Sequence, residues 1–193
     1  MVTNIVQARE RIEAIKNSQL RILAKFQLQT ACRVSEAVGK WALKPNDMNL
    51  TEYKGNEIAI WTLHTAKRQG IERMIALPLS QVWVKELVDY FQTRKKTSFS
   101  YGISSASHLL AKEFEGLTYN IEKYFPKKQL AIPRHERAMN THSLRHLRLS
   151  ELVNFYGFDE IDLATFAGWK MKGMANRYVT TAWGRYIDKF LKI

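Results

Sequence analysis

Apolar residues recur every three or four positions through the first forty residues, at Ile5, Ala8, Ile12 and Ile15 and then at Leu20, Ala24, Leu28 and Ala31. That period places them on one face of a helix, so residues 4–41 are expected to form two or three helices. Pro45, Asn46 and Asp47 break the pattern. From Glu57 to Pro78 the runs EIAIWTLH and ERMIALP are rich in β-branched and aromatic residues, and TAKRQGI separates them. This predicts a β-hairpin with a basic tip, joined by a third strand around Met48 to Tyr53. SQVWVKELVDYFQTRKK carries Val84, Leu87 and Phe91 at helical spacing, and SSASHLLAKEFEGL opens on serines that read as caps, so both are expected to be helices. Residues 117–140 contain Pro126 and Pro133 and follow neither period. From Thr141 the helical pattern returns in three pieces, with breaks at Gly157 and at Gly168 to Gly173. The fold class expected is mainly α with a small three-stranded antiparallel sheet, an α+β domain without internal repeats.

The chain has 193 residues, of which 46% are hydrophobic, enough for one buried core and too apolar for a disordered chain. Thirty Lys and Arg against 18 Asp and Glu leave a formal charge of +12, an excess that a polyanion would neutralise, and nucleic acid is the first partner it suggests. Cys32 is the single cysteine, which excludes an intrachain disulfide and a multi-cysteine zinc site and fits a reducing, cytoplasmic setting. The first twenty residues mix charged and apolar positions and read as neither signal peptide nor anchor, and no apolar run is long enough to span a membrane.

Several residue types that act on phosphates are scattered along this chain. Arg33 follows a long apolar helix in TACRVSEA, where it must find an anion or a carboxylate, and Glu36 is near enough to hold it. Lys67 lies at the expected hairpin tip beside Arg68, where it could reach a DNA groove or simply aid solubility. His142 and Arg145 are three apart on one expected helix and together could hold two oxygens of one phosphate. His146 and Arg148 are expected to meet solvent or the DNA backbone, with Leu149, Leu152, Val153 and Tyr156 as the buried stripe of that helix. Trp169 follows Gly168 at a helix break, and Tyr178 lies in a basic context, Asn176-Arg177-Tyr178. A tyrosine hydroxyl has a reference pKa of about 10 and attacks only with cationic or basic help. Each residue alone has an ordinary structural reading.

In order, Arg33 in R-V-S-E, Lys67 in a hairpin, H-S-L-R, and Gly168-Trp169 followed by Tyr178 form a constellation that resembles the catalytic domain of the tyrosine recombinases, the phage-type integrases. The likeness covers about residues 3–191; Trp169 stands where a histidine is commoner, and Ala167-Gly168 where Leu-Gly is more usual. The loose spacing of the motifs suits an integrase of an archaeal virus or plasmid. What the resemblance implies is site-specific recombination through a 3′-phosphotyrosyl intermediate, with no cofactor, metal or nucleotide. Tyr178 would be the nucleophile, with Arg33 and Arg145 clamping the non-bridging oxygens. Lys67 would be the general acid for the leaving 5′-oxygen and His142 a donor or base. Trp169 would donate its indole N–H, and Glu36 would orient Arg33. Arg68 and the basic connection with Lys127, Lys128, Arg134 and Arg137 would contact DNA. The partners implied are double-stranded DNA and further copies of the chain, with a tetrameric synapse on DNA and a monomer or weak dimer without it. Residues 1–193 would be one catalytic domain lacking the family's N-terminal core-binding domain, so DNA affinity is expected to be modest and salt-dependent. Over 179–193, Val179, Trp183, Tyr186, Ile187 and Phe190 share one face of an expected amphipathic tail helix, which in the family often docks on a neighbour. Two alternatives remain open, a type IB topoisomerase and a non-catalytic DNA-binding factor on the same scaffold. Tyr186 is the reserve candidate for the nucleophile.

Overall fold

A computed structural model describes residues 4–65, 71–119, 137–169 and 183–192. Helix α1 (Ile5–Glu13) opens on a reciprocal cap, in which Gln7 N–H donates to Asn4 Oδ1 at 2.9 Å and Asn4 N–H to Gln7 Oε1 at 3.0 Å. Helix α2 (Ser18–Thr30) is capped by Asn17 and buried almost all round, because α1 and the later helices pack on several of its sides. It ends at Ala31 in the left-handed region (φ 50°), which turns the chain into the short helix α3 (Val34–Ala37).

Strands β1 (Met48–Tyr53), β2 (Asn56–Thr65) and β3 (Ile71–Pro78) form an antiparallel sheet in the order β1-β2-β3; β2 extends one residue beyond the expected run at each end, and β3 begins one residue before its expected run. The side-chain period of two sends Trp61 and Leu63 of β2 into the core opposite Ile75 and Arg73 of β3. Helices α4 (Val84–Gln92) and α5 (Ile103–Glu113) follow. The serines expected to cap α5 lie inside its first turn; Gly102 is the cap residue and makes no side-chain bond. Strands β4 (Thr118–Tyr119) and β5 (Arg137–Ala138) pair antiparallel, an unexpected second sheet at the two ends of the basic connection.

Helix α6 (Thr141–Asn154) is capped by Asn140, and α7 (Glu160–Ala167) by Asp159, whose carboxylate accepts from Asp162 N–H at 2.8 Å. On α6, Leu149 and Leu152 are buried, but Val153 is exposed, contrary to the expected stripe. At the C-terminus a 3-10 turn (Trp183–Arg185) precedes α8 (Ile187–Leu191), so the described part of the tail is not one continuous helix. Tyr186, Ile187 and Phe190 are buried within their own chain, where the Tyr186 and Phe190 rings pack with Phe158 and Phe166. Val179 lies outside the described residues. Tyr186 Oη accepts from Ala76 N–H at 3.0 Å, which pins the tail to β3. Among the described residues, no helix is long and apolar enough to cross a membrane.

Candidate anion site

Three arginines from distant parts of the chain surround one buried carboxylate. Arg33 is the N-cap residue of α3, and Glu36, three positions on, reaches back to it twice. Glu36 Oε2 accepts from the Arg33 backbone N–H at 3.0 Å, and Oε1 accepts from Arg33 Nη1 at 2.8 Å. From β3, Arg73 Nη2 donates to Glu36 Oε2 at 2.8 Å, while its Nη1 donates to the carbonyl of Phe166. From α6, Arg145 donates through Nη1 to the Ala31 carbonyl and through Nη2 to the Ala167 carbonyl at 2.8 Å. These carbonyls lie at the C-terminal ends of α2 and α7, where unpaired acceptors and the negative end of the helix dipole favour a cation.

The electrostatics follow from burial against neighbours. Burial alone would raise the Glu36 carboxyl, but Arg73, the Arg33 N–H and Arg145 outweigh it and hold the group below its ordinary 4.5. Arg145 loses hydration and is repelled by Arg73 and Arg33, with Glu36 offsetting part of this, so its guanidinium is pushed down from 12.5 to about 9. It remains a cation at neutral pH, in a field that an incoming oxyanion would relieve. Arg33 keeps 25% of its side chain exposed. Trp169, 46% exposed, has its ring centre 5.8 Å from the Arg145 guanidinium carbon, within cation–π range.

Trp169 is set there by the end of α7. Gly168 adopts φ 67°, and the Trp169 backbone N–H donates back to the Ala164 carbonyl at 2.8 Å, the pattern of a glycine-terminated helix. His142, exposed on the first turn of α6, meets His146 edge to face at 4.6 Å. Burial, His142 and Arg145 together push His146 down to about 4.

Of the residues expected to act, the structure brings together Arg33, Glu36, Arg145 and Trp169 and puts His142 nearby on α6. Arg137 is in β5 opposite Tyr119. Lys67, Arg68, Lys127, Lys128, Arg134 and Tyr178 lie outside the described residues.

Three expectations need correction. Arg148 meets neither solvent nor DNA: it is fully buried, donates from Nε to the Gln29 carbonyl at 3.2 Å, pairs with Glu151 and lies against the Tyr156 and Phe190 rings. A guanidinium there holds α2 and α6 together. His146 is half-buried rather than a solvent contact. Tyr186 is a core residue whose hydroxyl is raised in pKa by burial, so it is no reserve nucleophile.

Sequence reasoning passed over Arg73. Its signal was position: in I-E-R-M-I-A-L-P, Arg73 is in phase with Ile75 and Leu77 and therefore on the core face of its strand. A buried charge in that phase requires a partner. No protein-family model, curated protein or solved structure matches this chain.

Proposed function

We propose that the chain is a DNA strand transferase of the tyrosine recombinase type, cleaving and rejoining double-stranded DNA through a 3′-phosphotyrosyl intermediate. The observation that carries this reading is the meeting of Arg33, Glu36, Arg145 and Trp169, four members of the family's ordered motif set, in one cationic cluster. Two guanidinium groups from separate helices suit the task, because negative charge builds on the equatorial oxygens of the phosphoryl transition state and preorganised donors act on that charge. Arg33 and Arg145 clamp those oxygens, Glu36 orients Arg33, and Trp169 donates its indole N–H while covering Arg145. Tyr178 attacks the phosphorus, Lys67 protonates the leaving 5′-oxygen, and His142 donates to the phosphate or accepts the tyrosine proton. The phosphotyrosyl bond conserves the energy of the broken diester, so a free 5′-hydroxyl reverses the step without nucleotide or metal.

The test is incubation with nicked duplexes of randomised central sequence, in which the released fragment bearing the free 5′-hydroxyl diffuses away and leaves the covalent complex trapped. We expect an adduct with the unaltered chain, undiminished by EDTA and absent in Tyr178→Phe. Arg33→Ala should slow its formation by about two to three orders of magnitude, as loss of one transition-state donor does elsewhere. An adduct persisting in Tyr178→Phe would refute the nucleophile. Relaxation of supercoils without exchange between paired sites would instead assign a topoisomerase, and DNA binding without any adduct a non-catalytic factor.

A further inference from the structure

Arg73 belongs to none of the motifs above, yet it touches the supports of both clamping arginines. Its side chain is 5% exposed, facing the core from β3 opposite Leu63, so it cannot itself reach a duplex phosphate. Its two Nη groups serve two different elements. One holds Glu36 Oε2, on the carboxylate whose other oxygen holds Arg33. The other holds the Phe166 carbonyl in the last turn of α7, next to the Ala167 carbonyl that holds Arg145, two residues ahead of Gly168 and three ahead of Trp169. Among the described residues Arg73 Nε has no hydrogen-bond partner, so the bonds of the side chain are to these two acceptors.

We propose that Arg73 is a positioning residue which, through Glu36 and the last turn of α7, sets the spacing of Arg33 and Arg145 around the anion. This rests on the strand-transfer reading for its consequence in catalysis, although the link to Glu36 stands without it. A planar fork with two donors can bridge a carboxylate and a carbonyl on separate elements; a lysine ammonium, a point charge, keeps the charge but not the shape of that bridge. Among the described residues, the charged and titratable groups facing Glu36 are Arg33 from the start of α3, Arg73 from β3, Arg145 from α6 and Cys32 from the preceding turn. Arg73 is foremost among those that keep the buried carboxyl ionised.

The experiment compares Arg73→Met, Arg73→Lys, Glu36→Gln and the Arg73→Met/Glu36→Gln double variant in the full chain, by single-turnover cleavage of the nicked duplexes and by DNA affinity. We expect Arg73→Met to bind DNA as tightly as the unaltered chain and to cleave about a hundredfold more slowly, the scale of a misplaced catalytic group. Arg73→Lys should recover part of the rate, and the double variant should be no slower than its slower parent, because both changes break one chain of contacts. The Glu36 carboxyl, followed by 13C NMR, should titrate below 4.5 in the unaltered chain and at a higher pH in Arg73→Met. Rate losses that multiply in the double variant, unaltered cleavage by Arg73→Met, or a Glu36 titration that does not move would each overturn the proposal. If Arg73→Met fails to fold, the same titration and rate in Arg73→Lys decide. If the unaltered chain forms no adduct on any duplex, the strand-transfer reading fails, and the Glu36 titration still decides whether Arg73 governs that carboxylate.

Discussion

Arg33 and Glu36 show how far a short spacing carries. Three positions apart at a helix start, they were expected to meet, and the carboxylate holds both the backbone N–H and the guanidinium. Arg73 and Arg148 could not be read so directly, since each finds its partners across the tertiary structure, from β3 to α3 and α7 and from α6 to α2. His146 yields a prediction at this scale. The folded chain keeps it neutral down to about 4, whereas the unfolded chain takes up a proton near 6.5. The stability that depends on its neutral form is therefore present above pH 6.5 and is lost as the pH falls toward 4. Urea-unfolding midpoints should drop across that window in the unaltered chain and drop less in His146→Gln. Parallel pH profiles for the two would contradict it.

At the scale of elements, the hairpin and its third strand were legible because period-two alternation and the break at the tip are local signals. The pair β4–β5 was not, since each strand has only two residues and the partner lies beyond a long connection. The tail was half legible: its apolar spacing marks the buried face, but not that the face is covered by Phe158, Phe166 and β3 of the same chain. The end of α7 matters most to the site, because Gly168 in the left-handed region delivers Trp169 to Arg145 while the Phe166 and Ala167 carbonyls anchor Arg73 and Arg145. Adding a Cβ there is strained whatever the space around it. Gly168→Ala should cost about 1 kcal/mol, read from the urea midpoint at constant slope. It should also slow cleavage more than Trp169→Phe does, because it disturbs the anchors as well as the ring.

Across the whole molecule, four segments remote in sequence, the start of α3, strand β3, helix α6 and the end of α7, converge on one cationic cluster in a chain of net charge +12. The order of the motifs singles out Arg33, Arg145 and Trp169, whereas the carbonyl anchors at Ala31, Phe166 and Ala167 are backbone groups that no side-chain pattern announces. Three guanidinium groups around one carboxylate leave the cluster with excess positive charge, and under the strand-transfer reading we propose, Arg33 and Arg145 would meet a backbone phosphate there. The decisive measurement is mass-spectrometric mapping of the peptide that carries nucleotide after trapping on a nicked duplex and digestion with protease and nuclease. We expect the phosphonucleotide on Tyr178 alone, attached through the 3′ end of the cut strand. Nucleotide on any other residue, or attachment through a 5′-phosphate, would contradict the assignment of this cluster to tyrosine-mediated strand transfer.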